Sequence, residues 1–360
     1  MEKENGAKPS PEVVEKEEET TERWRFGENK AVEAAGGRSI RGTLNKVLSS
    51  VDENGPRPVI PLGHGDPSMF PSFRTPPIAE EAIVEAVRSA QFNNYAPTNG
   101  VLPARRVVAE YLSKDLPYKL SPDDVFLTAG CTQAIDIVVS ALARPDANIL
   151  LPRPGFPMYE ARCTYTNLEM RHFDLIPEQG WEVDLDQVEK LADENTVAIV
   201  IINPNNPCGS VLKYQHMEEV VDSIRSILDI TTDPATFIQG AVPQIIEKTK
   251  DDFFNNIIHV LRDAAELCYN KIKDIKCITC PHKPEGSMFV MVKLNLSYLV
   301  DISDDVDFCS KLAKEESVII MPGSALEMKN WLRITFAVEP TSLVVGLERL
   351  KSFCERHEKN

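Results

Sequence analysis

The stretch NPNNPCG at Asn203–Gly209 directly follows the apolar run VAIVII at residues 197–202. A short apolar run that leads into Asn, Pro and Gly is typical of a buried strand followed by a tight turn. A strand of this kind carries polar side chains to the edge of a ligand site. Asn206, whose amide both donates and accepts hydrogen bonds, is therefore a candidate ligand contact.

The sequence around this stretch alternates between strand and helix patterns. The predicted strands are DVFLT (124–128), NILL (148–151) and VAIVII, and the predicted helices cover residues 78–90, 103–114, 129–143 and 183–194. This alternation indicates βαβ units and a mostly parallel sheet, so the predicted fold class is α/β. Ligands in such folds bind beyond the carboxyl ends of the strands, which is where NPNNPCG lies.

Composition and pattern divide the chain into four predicted segments. Residues 1–25 form a charge-rich, acidic tail that is predicted to be disordered, and residues 26–75 contain a helical stripe that starts at Ile40. Residues 76–250 carry the alternating pattern of a large domain. Residues 251–360 combine a long amphipathic helix, a short series of strands and a terminal helix, which predicts a smaller α+β domain.

The overall charge excludes some classes of partner. The formal net charge of −16 disfavours nucleic acid and an anionic membrane surface, both of which require a basic face. It leaves room for a small anionic ligand held in a local pocket. Because no signal peptide or spanning segment is visible, we expect a cytoplasmic protein without membrane contact.

The cysteine pattern predicts thiols and no metal site. Eight cysteines are scattered over the chain, and Cys277 and Cys280 form a single CxxC. A zinc site needs a second pair of ligands with matching spacing, and the sequence contains none.

Four further positions have the chemistry of ligand contacts. In FLTAGCTQA, Gly130 permits a tight turn into a helix whose first N–H groups favour a phosphate. In LPRPGFPMY, Phe156 could stack on a planar ligand, and in WLRITFAV the buried charge of Arg333 requires an anion. Tyr95 lies in the turn NYAPTNG. Two of these positions also fit an ordinary structural role: the Gly130 segment as a strand-to-helix turn, and Phe156 as a core aromatic.

Taken together and in this order, six segments resemble the fold-type I pyridoxal phosphate enzymes, and among them the plant tyrosine and nicotianamine aminotransferase-like proteins. The segments are LGHGDP, YAPTNG, TAGCTQAI, PRPGFPMY, NPNNPCG and GSMFVMV. The resemblance covers about residues 26–360 and implies the PLP-dependent transferase fold, with residues 26–75 packed in the smaller domain.

The resemblance assigns a role to each candidate residue. It implies that Gly130 and Cys131 give backbone N–H groups to the phosphate of pyridoxal 5'-phosphate, that Phe156 stacks on its ring, and that Asn206 hydrogen-bonds its ring hydroxyl oxygen.

On the substrate side, the resemblance implies that Arg333 clamps the α-carboxylate and that Gly65 lets the backbone approach the substrate. It also implies that Tyr95 reaches the phosphate in a neighbouring subunit, and so predicts a dimer. The implied reaction is transfer of an amino group from an aromatic amino acid such as tyrosine to a 2-oxo acid, 2-oxoglutarate.

One part of the family pattern is missing from the sequence. The family has a DEVY-like strand end and an SKxxxxPGxRxGW-like segment after the Asn motif, which supply the pyridinium-binding Asp, the Schiff-base lysine and a basic cluster for the phosphate. This chain passes from NPNNPCG directly to a stretch that resembles later parts of the family, and the break falls near His216–Val221. About two βα units are absent, at ~30 residues each.

No other residue fits the missing roles. Lys213 comes only seven positions after Asn206, and Lys248 and Lys250 lie at a polar helix end. Asp222 and Asp229 follow the break without a preceding strand. We therefore predict that no catalytic lysine is present and that the large sheet is shortened, with unpaired edges.

Three functions remain open at this point. The chain is an aminotransferase by descent, or a non-catalytic shortened product that pairs with itself or with a full-length relative, or a non-enzymatic module that binds a phosphate ligand. The absence of the lysine separates the first function from the other two.

Overall fold

The computed structural model describes residues 40–52, 55–211 and 236–359. The charge-rich tail, Lys213 and the predicted break at 216–221 lie outside these ranges. The described helices are α1 (Ile40–Leu48), α2 (Pro77–Arg88), α3 (Leu102–Leu112), α4 (Gly130–Leu142), α5 (Met158–Thr166), α6 (Leu185–Leu191), α7 (Thr236–Lys248), α8 (Asp251–Ile272), α9 (Asp305–Glu316) and α10 (Pro340–Arg356). None of them is both long and apolar enough to cross a membrane.

The strands of the described ranges are short. They are β1 (Ile60–Pro61), β2 (Asn148–Arg153), β3 (Glu169–Ile176), β4 (Glu182–Val183), β5 (Thr196–Ile199), β6 (Ile278–Thr279), β7 (Phe289–Leu294), β8 (Val318–Ile319), β9 (Met321–Pro322) and β10 (Trp331–Thr335). The helix–strand alternation and the late series of strands agree with the α/β class predicted from the sequence.

The first main sheet has the order β4-β3-β2-β5. Strand β2 runs parallel to both β3 and β5, and β4 adds an antiparallel edge. All residues of β2 are buried except Arg153, which is half-buried, because β2 has a strand on each side and each of its faces packs in a hydrophobic cluster. Beyond β5, no further strand of this sheet lies in the described ranges.

The second main sheet has the order β6-β7-β10-β9 and is antiparallel throughout. Its central strands are fully covered: Val290, Met291, Leu332 and Ile334 have no exposed surface. Helices α8, α9 and α10 pack around it. A separate parallel pair joins β1 to β8 through Ile60 and Val318, which fixes the N-terminal segment to this half of the molecule.

A continuous core links the two sheets. It contains Leu150 and Phe173 from the first sheet together with most buried residues of the second. Trp181 and Trp331 meet in this core, edge to face, with ring centroids 5.3 Å apart. A smaller cluster around Ile149 and Val139 fills the other face of the first sheet.

The predicted strand DVFLT is wrong. A short 3-10 turn covers Pro122–Asp124, and the residues that follow it up to Thr128 are not in a sheet. An apolar run becomes a strand only when a neighbouring strand satisfies its backbone groups. Among the described residues, no strand lies beside it. The strand predicted at 197–202 is also shorter than expected, since β5 ends at Ile199.

Candidate cofactor and substrate site

Two candidate contacts follow neighbouring parallel strands. Strands β2 and β5 pair in parallel at Ile149–Ala198 and Leu150–Ile199. The loop with Phe156 therefore leaves β2 at the same sheet edge at which the loop with Asn206 leaves β5. This is the edge at which α/β folds bind ligands.

The NPNNPCG turn is held by Asn205, which leaves Asn206 free for a ligand. The Asn205 side-chain oxygen accepts a hydrogen bond from the Cys208 N–H at 3.0 Å, and the Asn205 N–H donates to the Ser210 carbonyl oxygen at 2.8 Å. The Oδ1 atom of Asn206 is buried and has no hydrogen-bond partner in the part of the chain that the structure describes. A buried amide oxygen without a partner is costly, and a ligand donor would satisfy it.

The turn before α4 is open in the way a phosphate requires. Gly130 has a φ of +75°, and a Cβ atom there would meet nothing within 4 Å. Gly130 and Cys131 are exposed at the start of this 13-residue helix; the Gly130 N–H donates to the Thr128 carbonyl oxygen at 2.8 Å, so an anion would compete for that group and bind the N–H groups that follow it. Their partial positive charge and the helix dipole favour an anion at this position.

The phosphate turn lies next to the Phe156 loop. Burial raises the pKa of the Tyr159 hydroxyl, and the nearby Cys131 thiol contributes to the same shift. Phe156 is half-buried and packs against the smaller core cluster. The structure thus brings Gly130, Cys131 and Phe156 to one side of the first sheet.

A glycine joins the Asn206 turn to the second sheet. The Gly209 carbonyl oxygen accepts hydrogen bonds from the N–H groups of Glu285 and Gly286 at 2.8 and 2.9 Å. Gly209 has a φ of +72°, and a Cβ atom there would collide with the Phe289 carbonyl oxygen. Only glycine fits this contact.

Arg333 is a buried cation in β10. It is 3% exposed, its Nη2 donates to the Gly63 carbonyl oxygen at 3.0 Å, and its guanidinium lies 4.2 Å from the centroid of the Phe289 ring. Burial lowers its pKa to about 10. Within the described part of the chain, its Nε has no hydrogen-bond partner and no carboxylate lies within ion-pair distance. A buried guanidinium in this state is a site for an anion.

The Gly63–Gly65 segment forms the other wall of this pocket. A Cβ atom on Gly65 would lie 2.8 Å from the Phe289 ring, so glycine keeps the backbone close to Arg333. Sequence reasoning missed two residues here, His64 and Phe289. The Nδ1 of His64 is buried without a partner, and burial, followed by the charge of Arg333, lowers the pKa of the imidazole. The one sequence signal that could have identified His64 is that it lies inside the motif LGHGDP.

Tyr95 is fully exposed. Its loop is adjacent to the phosphate turn, because the Asn99 carbonyl oxygen accepts a hydrogen bond from the Leu127 N–H at 3.2 Å. Its role in a neighbouring subunit stays a prediction.

The lysines within the described ranges are all exposed or half-buried. Lys248 donates to Gln244 at 2.7 Å on the surface of α7. Pro284 lies beside Gly209, and Lys283 precedes it in the sequence. The amine of Lys283, however, forms an ion pair with Glu266. None of these amines is buried beside Asn206 in the way that a covalent bond to the cofactor requires.

Comparison with known proteins gives a family match in two parts. The profile of the family described as Aminotransferase class I and II matches residues 57–230 and 225–350. Nicotianamine aminotransferase 1 of Oryza sativa subsp. japonica is 52% identical over 403 residues, covering 91% of this chain and 82% of the relative. Nicotianamine aminotransferase B of Hordeum vulgare is 50% identical over 420 residues, covering 95% and 76%.

A solved structure confirms the fold. The crystal structure of tyrosine aminotransferase from Leishmania infantum matches with a TM-score of 0.83 and 27% identity, covering 94% of this chain and 100% of that chain. Such enzymes are fold-type I pyridoxal phosphate proteins, as the sequence predicts.

The alignment lengths show that residues are missing relative to the plant proteins. The alignment to the rice protein has 403 positions and includes 91% of the 360 residues of this chain, which is about 328 residues, so subtraction leaves about 75 positions without a residue of this chain. The two parts of the family match meet at residues 225–230, shortly after the predicted break at 216–221.

Proposed function

The chain belongs to the class I and II aminotransferases, and on that premise we propose that it is a shortened member that binds ligands but does not catalyse transamination. The observation that supports this is a contrast between two kinds of group. Arg333 and Asn206 keep buried polar atoms without partners, which fits ligand binding. The described lysine amines, in contrast, are on the surface or half-buried away from Asn206.

The retained residues fit the family's cofactor and substrate in part. The N–H groups at Gly130 and Cys131 would hold the phosphate of pyridoxal 5'-phosphate, and Asn206 and Phe156 would fix its ring. When bound, this cofactor supplies an electron sink for the carbon next to the substrate amine. Arg333 would bind the substrate carboxylate through its planar fork, with the Phe289 ring beneath it and Gly65 beside it.

Among the described residues, the proton transfers of transamination have no base. A lysine must take the proton from the α-carbon and return it at a neighbouring atom, and its amine has to lie within hydrogen-bond reach of both positions. A carboxylate must also keep the pyridine nitrogen protonated. Neither group occurs in the described residues around Asn206.

For the substrate, we propose an aromatic amino acid such as tyrosine, with 2-oxoglutarate as the acceptor of the ancestral reaction. The tyrosine and nicotianamine aminotransferases that the chain resembles support an amino acid and a 2-oxo acid as the two substrates. We propose the cytoplasm as the location of the chain. The fully exposed Tyr95 supports a dimer, either of two copies or with a full-length relative.

The covalent test examines the lysine directly. The chain is mixed with pyridoxal phosphate, reduced with borohydride and mapped by peptide mass spectrometry. We expect no single lysine to carry a stoichiometric pyridoxyl group. One fully modified lysine, including Lys213, would contradict the proposal.

The matched control replaces residues 212–235 by the corresponding longer segment of the rice relative. We expect hydroxyphenylpyruvate from tyrosine and 2-oxoglutarate only with this restored chain. Comparable turnover by the unmodified chain would show that another residue serves as the base.

A second candidate function is assembly with a full-length relative. Ile199 and Ile201, beside the open edge of β5, are 43% and 40% exposed, and a subunit partner would limit their contact with water. The test is the soluble fraction of the chain with and without the co-expressed relative. An equal fraction in both cases would argue against assembly and leave the binding module.

A further inference from the structure

Two cysteines outside the site described above share a cavity. Cys277 lies between α8 and β6, and Cys354 lies in the last turns of α10. Both line a cavity of about 90 Å³, and they are 3% and 4% exposed. The rim of the cavity includes the exposed side chains of Lys276, Tyr298 and Glu355, so it opens at the surface.

The two segments are fixed to each other next to these thiols. Lys276 and Glu358 form an ion pair with an N···O distance of 2.7 Å. The Val300 N–H donates to the His357 carbonyl oxygen at 2.8 Å, and the Lys359 N–H donates to the Tyr298 carbonyl oxygen at 2.9 Å. These contacts hold the end of α10 against the residues around Cys277.

Cys277 and Cys354 line the same cavity, and the pKa values of their thiols shift in opposite directions. The hydrogen bond from Cys354 lowers the pKa of Cys277, against the effects of burial and of the Glu358 charge. The same hydrogen bond raises the pKa of Cys354. Burial raises the pKa of Cys309, another buried cysteine of this half of the molecule. Cys277 is thus the nucleophile of the pair and Cys354 the resolving thiol.

We propose that Cys277 and Cys354 form an oxidant-responsive site at which a hydroperoxide small enough to enter the cavity produces a reversible disulfide. The Cys277 thiolate attacks one peroxide oxygen, the O–O bond breaks, and the leaving oxygen takes a proton to become water or an alcohol. Cys277 is then a sulfenic acid. The Cys354 sulfur attacks the Cys277 sulfur, the S–O bond breaks, and the second oxygen leaves as water with the Cys354 proton. The two thiols lose two electrons and two protons, and the peroxide accepts both.

The disulfide connects the terminal helix to the residue that precedes β6, a strand of the same sheet as Arg333. It closes a long loop, so it restricts the unfolded chain strongly. We expect the oxidised chain to melt about 5 °C or more above the reduced chain, and a thiol reductant to reverse the shift.

The experiment uses the full chain treated with hydrogen peroxide. The products are alkylated under denaturing conditions and mapped by mass spectrometry. In the wild-type chain we expect a 277–354 disulfide. In Cys354→Ser, a dimedone adduct should accumulate on Cys277, because the resolving thiol is missing. In Cys277→Ser, neither the disulfide nor an adduct on Cys354 should form.

Cys280→Ser is the matched control, because Cys280 belongs to the same CxxC but its thiol donates to the His282 carbonyl oxygen at 3.1 Å. It should form the 277–354 disulfide at the wild-type rate. A disulfide between other cysteines, or both thiols remaining reduced while Cys131 is oxidised, would overturn the proposal.

A measurement on the wild-type chain avoids the risk that a variant does not fold. In the reduced native chain, a small neutral alkylating reagent should modify Cys277 at least about tenfold faster than Cys309. Equal rates would show that Cys277 is only a buried thiol, and would also overturn the proposal.

Discussion

The two main sheets of the molecule differ in how their strands are bounded. In the antiparallel sheet, β7 has β6 on one side and β10 on the other, and all five residues of β10 are buried. In the parallel sheet, β5 pairs with β2 on one side only among the described residues, and it contains no buried residue. Yet both sheets are built from apolar sequence of similar character.

This difference shows that an apolar strand pattern does not by itself tell whether the strand has neighbours on both sides. VAIVII is apolar on both faces, which is typical of an interior strand of a parallel sheet. Within the described ranges no strand pairs with its far side, and unpaired backbone groups and exposed Ile side chains favour association with other chains. The antiparallel sheet contains no such mismatch, since its apolar strands are central and its edges are short.

Hydrogen exchange should show the largest difference. We expect amides of Val290–Val292 in β7 to exchange about ten-thousandfold more slowly than those of Ala198–Val200, because the β7 amides open only with the whole core. Peptide-resolved exchange followed by mass spectrometry measures both regions in one sample. Equal protection would mean that the shortened parallel sheet closes on itself and that the two sheets do not differ in local stability.

Side-chain truncation compares the two sheets through their packing. Phe308 is fully buried and meets Phe353 edge to face at 5.2 Å, so Phe308→Ala should lower the free energy of unfolding by about 4 kcal/mol. Ile199→Ala, at a 43% exposed position, should cost less than about 1 kcal/mol. Urea titrations followed by tryptophan fluorescence, with Trp181 and Trp331 at the junction of the sheets, measure both values. A loss at Ile199 as large as that at Phe308 would show that an unseen surface covers β5.

The fold was predictable wherever local pattern and global structure agree. The stripes of α1, α8 and α10 and the apolar strand β2 follow directly from periodicity. DVFLT failed because a strand also needs a partner, and the partner is a property of residues elsewhere in the chain. Among the described residues, no strand supplies that partner.

The residues in the turns of the candidate site could be predicted from the sequence, but Phe289 and His64, which line it, could not. Gly130, Phe156, Asn206 and Arg333 lie in turns or strands whose sequence is distinctive. Phe289 reads as one more core aromatic in GSMFVMV, and only the antiparallel packing of β7 on β10 places its ring under the guanidinium. His64 could not be assigned because its surroundings come from three separate segments.

Arg333 is a destabilising group within the better-packed sheet. A buried guanidinium without a carboxylate partner costs stability, so Arg333→Met should raise the free energy of unfolding by about 2 kcal/mol. The same variant should bind 3-(4-hydroxyphenyl)propanoate, an unreactive carboxylate, at least about 100-fold more weakly. Denaturation and calorimetry give the two numbers.

Arg333→Lys is the control that keeps the charge but not the planar fork. Its affinity for the carboxylate should lie between those of the wild type and Arg333→Met. If Arg333→Met destabilised the chain and left carboxylate binding unchanged, Arg333 would be a structural cation and the pocket would lie elsewhere.

The smallest expected effect concerns Asp193, which holds the start of β5 to its neighbours. Its Oδ1 accepts a hydrogen bond from the Asn148 side chain of β2 at 2.8 Å, and its Oδ2 pairs with Arg171 of β3 at 2.7 Å. These contacts, the Arg171 contact first, lower the pKa of Asp193 from 3.8 to about 2. The carboxylate is solvent-exposed, so the expected contribution to stability is small.

The pH dependence follows from the direction of this shift. A carboxyl group whose pKa is lower in the folded state stabilises that state fully above its unfolded pKa, and this contribution is lost as the pH falls towards the folded pKa. Asp193→Asn should therefore be less stable than the wild type at pH 7, and the difference should shrink between about pH 4 and pH 2. Urea midpoints at a series of pH values measure it, with the neighbouring Glu194→Gln as the control for net charge. A difference that stays constant down to pH 3 would mean that Asp193 acts through its shape and hydrogen bonds alone, and that charge does not help to hold the weaker sheet together.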